Sequence, residues 1–236
     1  MQAVIVTGTS SGLGKAFFES FASDSVYLIA IARRFLPEQL EAAQKHPNRI
    51  FLVERDLRNI DQLPTADELS KLLADPAIEE LLFINNAAVV EPIGSIGQLD
   101  AEQMIDHIKV NFLAAQLITN TLFSLPEISR MRVQVLNISS GAATKPKAGW
   151  AMYCAAKAGN EMFFNVLAAQ YEGNPQVEVA NVNPGVMDTQ MQASIRSANE
   201  EQFPELARFV GFKEEGKLVL PETVAANILK QYRRGE

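Results

Sequence analysis

The stretch "AVIVTGTSSGLGKAFF" (Ala3–Phe18) decides the fold. Its first part, "AVIVT" (Ala3–Thr7), is short and apolar on most positions, as a strand buried on both faces of a sheet should be. It breaks at a turn rich in glycine, with Gly8, Gly12 and Gly14, and a helical pattern starts near Gly12 and runs over 12–23. Glycines permit a tight turn and a close approach of backbone to ligand. The start of the helix offers free N–H groups and the positive end of its dipole, which suits a pyrophosphate. The spacing Gly-x-x-x-Gly-x-Gly is not the Gly-x-Gly-x-x-Gly fingerprint, and no Gly-Lys-Ser/Thr follows as in a Walker loop.

Working outward, the same alternation repeats along the chain. Further apolar runs are "VYLIAIA" (Val26–Ala32), "IFLVE" (Ile50–Glu54), "LLFIN" (Leu81–Asn85), "VQVLNIS" (Val133–Ser139) and "VEVANVN" (Val177–Asn183). Helical patterns lie between them, near 36–46, 59–74, 100–124, 148–172 and 221–233. Strands alternating with helices imply an α/β fold, a doubly wound (Rossmann) parallel sheet of six or seven strands with helices on both faces. No repeat, linker or low-complexity tract divides residues 1–236, so a single domain is expected. Ligands of such a sheet sit at the carboxyl ends of its strands.

Bulk properties exclude several classes. A net charge of −7 argues against a nucleic-acid binder, which should carry a basic face. No run approaches the ~20 apolar residues of a membrane span, and "MQAVIVTGTS" has no signal-peptide character. With one cysteine, Cys154, no intrachain disulfide can form, which fits a reducing, cytoplasmic setting. His46 and His107 show no metal spacing and read as surface or capping residues; no metal site is expected.

The second strand ends "IAIARRF". An acidic residue here would hold the 2′-hydroxyl of an NAD ribose, but Ala32 stands in its place, followed by Arg33 and Arg34. Guanidinium groups suit a 2′-phosphate, so the reading is NADP(H), with Arg33 as the main contact.

These residues resemble the short-chain dehydrogenases/reductases along the whole chain. "TGTSSGLG" is similar to that family's cofactor loop, which implies contacts from Gly8, Ser10, Ser11, Gly12, Leu13 and Gly14. "RDL" resembles the adenine-contacting turn, with Asp56 and Leu57, and "NNAA" the segment after strand four, with Asn86 and Ala87. "NPGVMDT" resembles the turn after strand six, implying Pro184, Gly185, Val186 and Thr189 beside the cofactor. "KVN" brings Asn111, "NISSG" brings Ser140, and "YCAAK" brings Tyr153 and Lys157, the four catalytic positions the resemblance implies. Ser140 precedes Tyr153 by thirteen residues, the usual family interval. Two features depart from the pattern. Ala88 replaces a glycine, which requires a backbone away from positive φ. The chain also stops after its last helix, without the family's seventh strand, which often helps build an interface. A homodimer is the expected assembly.

Within the family, "KPKAGWAMYCAAKAGNEMF" resembles the sepiapterin reductases and the bacterial benzil reductases, and the stretch from "MQASIRSANEEQF" on is closer to the latter. The acidic C-terminal anchor for a pterin, implied by the first resemblance, is absent from this sequence. The implied substrate is therefore an apolar α-diketone such as benzil, with a pterin ketone as the alternative. A non-catalytic NADPH sensor is a third reading, and the four catalytic positions argue against it.

The implied chemistry needs these residue types. Tyr153 serves as general acid, and Lys157, one helical turn on, is expected to lower its pKa from about 10 and to bond the nicotinamide ribose. Ser140 holds the carbonyl, Ser139 bonds backbone, and Asn111 supports a proton-relaying water near Lys157. Trp150 reads either as packing or as a substrate wall. Segment 188–216, with Met187, Met191, Ile195, Phe203, Phe209 and Phe212 in or beside it, reads as a helical lid over the substrate, with Met191 a substrate contact.

Overall fold

In the computed structural model, residues 1–232 are described. Strand β1 (Gln2–Thr7) leads through the glycine turn into α1 (Gly12–Ala22), and β2 (Tyr27–Ala32), α2 (Pro37–Lys45) and β3 (Ile50–Glu54) follow. Next come α3 (Ala66–Leu73), β4 (Glu80–Asn85), α4 (Ala101–Ile108), α5 (Ala114–Ser124) and β5 (Arg132–Ile138). The chain closes with α6 (Ala151–Gln170), β6 (Val177–Val182), α7 (Gln190–Arg196), α8 (Leu206–Glu214) and α9 (Pro221–Tyr232).

The six strands form one parallel sheet in the order β3-β2-β1-β4-β5-β6. Alternate side chains of each strand enter opposite layers. Ala3 and Ile5 of β1 pack with Leu69 of α3, Ile118 of α5 and Phe164 of α6. Val4 and Val6 pack on the other face with Phe17 and Phe21 of α1 and Ile228 of α9. The order reverses between β1 and β4, which opens a crevice at their carboxyl ends, the ligand position of such sheets.

Two helical patterns are interrupted. In place of one helix over 59–74, a 3₁₀ turn at Ile60–Gln62 is separated from α3 by Pro64. Leu63, ahead of that proline, is extended at φ −62, ψ 157, as the ring next to it requires. The pattern over 100–124 carries a π-helical turn at Lys109–Leu113, between α4 and α5. The less regular segment 36–46 does form a helix, entered through Pro37 in its first turn. His46 caps the end of α2, as expected.

Candidate active site

A cleft of about 830 Å³ runs along the carboxyl ends of the strands. Every residue expected at the cofactor lines it except Gly14. Gly14 lies just behind, where an added Cβ would fall 2.1 Å from the Gly8 carbonyl oxygen and 2.5 Å from Asn86 Nδ2. Gly8 itself, at φ +74, faces the Ala87 backbone so closely that a Cβ would lie 2.8 Å from its Cα. The end of β4 is stapled to β1: Thr7 Oγ1 accepts from the N–H groups of Asn86 and Ala87, both at 3.0 Å. Ala88 is not at positive φ, so its methyl group is accommodated.

These contacts aim the start of α1 into the cleft. Ser11 caps it without a side-chain hydrogen bond, and its first turn holds no acidic residue. The free N–H groups there thus suit an anion. Arg33 and Arg34 are exposed on the same wall, and their side chains make no hydrogen bond or ion pair with a described residue. The nearby carboxylate of Asp56 is gripped by Arg58 at 2.6–3.1 Å, and that guanidinium lowers its pKa. The acid on this wall is held by Arg58, and Arg33 adds only a weaker through-space attraction to it. This half of the cleft fits a dinucleotide.

At the inner end the catalytic candidates meet. Ser140 follows β5, and its Oγ accepts from Ala142 N at 3.2 Å. Tyr153 and Lys157 share one face of α6, both buried, with Lys157 Nζ 5.8 Å from the Tyr153 ring centre. Lys157 donates to the Ile138 carbonyl at 2.7 Å. The expected lowering of the Tyr153 pKa is overturned. Burial pushes the phenol up to about 12, against a smaller opposing pull from the Ser140 hydroxyl. Burial also pushes Lys157 down to about 8, with the Glu161 carboxylate opposing. In this dry pocket the loss of hydration is the largest influence on both groups.

Asn111 does not line the cleft. It is buried behind it on the π-helical turn. Its Oδ1 accepts from Val89 N at 2.8 Å and its Nδ2 donates to Val89 O at 2.6 Å, while Asn160 Nδ2 donates to its carbonyl. The π turn releases that carbonyl from the helical ladder.

Helices α7 and α8 cover the Tyr153 end. Trp150 stacks on Phe203 at 4.8 Å and meets Tyr153 and Phe209 edge-on at 5.4 and 5.3 Å. Ile195 and Met191 of α7 join this cluster. Trp150 therefore both packs and walls the cleft. Met187 does not belong to the cover: it packs with the α1 side of the sheet and bridges to Val219. Lys147 anchors the cover, reaching Glu205 at 2.7 and 2.8 Å.

Three features escape local sequence patterns. Ser139 bonds Glu161 Oε1 at 2.5 Å rather than backbone, because α6 sets a carboxylate opposite the end of β5. Asn85, Asn137 and Asn181 stand in register on β4, β5 and β6 and pass hydrogen bonds along at 2.8 and 2.7 Å. His107 is buried rather than at the surface, because α4 turns it inward onto the Glu91 carbonyl at 2.6 Å. A polar residue at an inward helical position was its one available signal. Among the described residues no cluster of three or more His, Cys, Asp or Glu could hold a metal ion, and no helix is long and apolar enough to cross a membrane.

Comparison with known proteins adds four findings. The family model described as short chain dehydrogenase matches residues 2–200. A benzil reductase ((S)-benzoin forming) of Bacillus cereus is 36% identical over 97% of this chain and 92% of its own length. The sepiapterin reductase of Mus musculus is 30% identical over 95% of this chain and 89% of its own. Among solved structures, the KRED1-Pglu enzyme superposes with a TM-score of 0.81 at 27% identity, covering 100% of this chain and 96% of that one.

Proposed function

This chain belongs to the short-chain dehydrogenase family, and we propose that it is an NADPH-dependent carbonyl reductase acting on an α-diketone of the benzil type. One observation carries the reading. Tyr153, Ser140 and Lys157 converge at an aromatic-walled inner end of a cleft whose outer end presents Arg33 and Arg34, neither hydrogen-bonded nor ion-paired to a described residue.

The N–H groups at the start of α1, from Gly12 onward, would hold the pyrophosphate, and Arg33, helped by Arg34, the 2′-phosphate. Asp56, Leu57, Asn86 and Ala87 wall the adenine side, and Pro184, Gly185, Val186 and Thr189 the nicotinamide side. When bound, NADPH supplies the hydride, which no side chain can. The chain supplies the rest. Ser140 donates a hydrogen bond to the substrate carbonyl and sets its angle. Tyr153, with its pKa near 12, is protonated throughout the neutral range and delivers its proton to the carbonyl oxygen. Lys157 spends one donor on Ile138 and has two left for ribose hydroxyls. Asn111 acts from behind by holding Val89. The aromatic cover from Trp150 to Phe212, with Met191, excludes water and suits flat apolar substituents.

The single domain over 1–236 and a homodimer complete the reading. Leu117 of α5 and Met162 and Val166 of α6 are exposed apolar side chains that a second copy would cover, and the lone cysteine fits a reducing cytoplasm. The test is cofactor consumption by purified protein, with NADPH and NADH each offered benzil, a small diketone, sepiapterin and a simple aryl ketone. NADPH-driven turnover of benzil above the others is the expected result. Turnover of sepiapterin alone would move the substrate to the pterins, and NADPH binding without any turnover would favour a sensor.

A further inference from the structure

We propose that His107 is a positioning residue which, as a neutral ring carrying its proton on Nδ1, locks Asn111 and through it the Val89–Glu91 wall of the cleft. That role in catalysis rests on the carbonyl-reductase reading above; the hydrogen-bond arrangement does not.

The assignment follows from donors and acceptors alone. Glu91's carbonyl oxygen can only accept, so His107 Nδ1, 2.6 Å away, carries a proton. The Asn111 amide is oriented by Val89, whose N–H needs an oxygen and whose carbonyl needs a donor. Turning the amide over would set oxygen against oxygen and N–H against N–H. Nδ2 therefore has one hydrogen on Val89 O, at 2.6 Å, and its second toward His107 Nε2, at 2.9 Å. Nε2 must be the bare nitrogen.

The clamp is needed because strand pairing of β4 ends at Asn85, yet the chain continues along the cleft. Backbone groups there require other partners. Asn111 takes both polar groups of Val89, and His107 takes the carbonyl of Glu91. Between them Val90 packs against Trp150 and Tyr153. The His107 ring also meets the Tyr153 ring edge-on, with centres 6.2 Å apart.

A proton added at Nε2 would face the Asn111 amide donor to donor. The Met152 carbonyl of α6 is the other acceptor beside the ring. Of the charged groups, Lys157 on α6 opposes protonation and Glu91, after β4, favours it, while Glu102, Asp106 and Lys109 lie on the same helical stretch without a resolved influence on the ring. Burial, the largest influence, holds the ring's pKa below the ordinary histidine value.

The experiment has two arms on the full chain. The first is ring ¹⁵N NMR of the wild type with amide exchange at Val89. Expected is a proton on Nδ1 and none on Nε2, persisting at about pH 6.5, where an ordinary histidine is half protonated. The second compares His107→Leu with His107→Gln, whose terminal oxygen can accept from Asn111 as Nε2 does. Loss of the clamp in His107→Leu should speed Val89 exchange about tenfold and raise the KM for benzil about tenfold, with kcat changed less. His107→Gln should recover most of both. A protonated Nε2, or a leucine variant with wild-type Val89 exchange and KM, overturns the proposal. Should the leucine variant not fold, the wild-type tautomer and the glutamine variant decide. Should the wild type not reduce benzil, the carbonyl-reductase reading fails, while the tautomer and exchange results still decide the clamp.

Discussion

At the outer end of the cleft, Gly14 lies so close to Gly8 that a single added carbon would meet a carbonyl oxygen at 2.1 Å. At the inner end, Trp150 meets Phe203 ring to ring at 4.8 Å, across 53 residues of sequence. The first contact joins backbone to backbone within one local turn. The second joins side chains from segments that only the finished fold brings together. One end is thus strict about residue identity at single positions, and the other is strict about total apolar volume. Glycine spacing can be read along a line of text, whereas an aromatic cluster cannot.

The comparison can be broken from either side. Phe203→Ala should lose about 3–5 kcal/mol of stability in urea unfolding, because it leaves a cavity under Trp150. NADPH affinity should hold within about twofold, since the cofactor end shares none of that contact. Gly14→Ala should instead strike the cofactor end. Its clash is with backbone, worth about 3 kcal/mol of strain, so NADPH fluorescence titration should show binding weaker by about 100-fold. A Gly14→Ala protein with normal NADPH affinity would remove the distinction.

A pH measurement sharpens the contrast within the inner end. Lys157 has a folded pKa of about 8 against 10.5 when unfolded. Between those values the unfolded chain binds more protons, so stability rises with pH, by about 3 kcal/mol in all. Tyr153 runs the other way: its folded value of about 12 exceeds the ordinary 10.0 of a free tyrosine, so stability falls above about pH 10. The difference in melting temperature between wild type and Lys157→Met should therefore move in the wild type's favour from pH 8 to 10. A flat difference would contradict the burial argument. The smallest expected effect belongs to Arg33→Ala, where the preference for NADPH over NADH should fall about 10–100-fold, as for one charge-assisted contact.

The strands were legible to within one residue at each end, since each is an apolar run bounded by turn residues. Gly8, Arg33, Ser140, Tyr153 and Lys157 were legible for a similar reason: each lies in a short motif just after a strand or on the helix facing it. Glu161, His107 and the Asn85–Asn137–Asn181 ladder were not. Their partners lie 22, 16, 52 and 44 residues away, and only sheet register and helix rotation decide that they meet. The direction of the Tyr153 pKa is hidden from the sequence for a related reason. Sequence spacing shows that a lysine is near, but not that both groups are buried.

The most direct test of the central claim, that Tyr153 delivers the proton to a carbonyl held in this cleft, is benzil reduction by wild type and Tyr153→Phe side by side, with NADPH affinity measured on both. The account predicts turnover by the wild type, a loss of about 10³-fold in kcat in the variant, and unchanged NADPH binding. Equal turnover by the two proteins would contradict it.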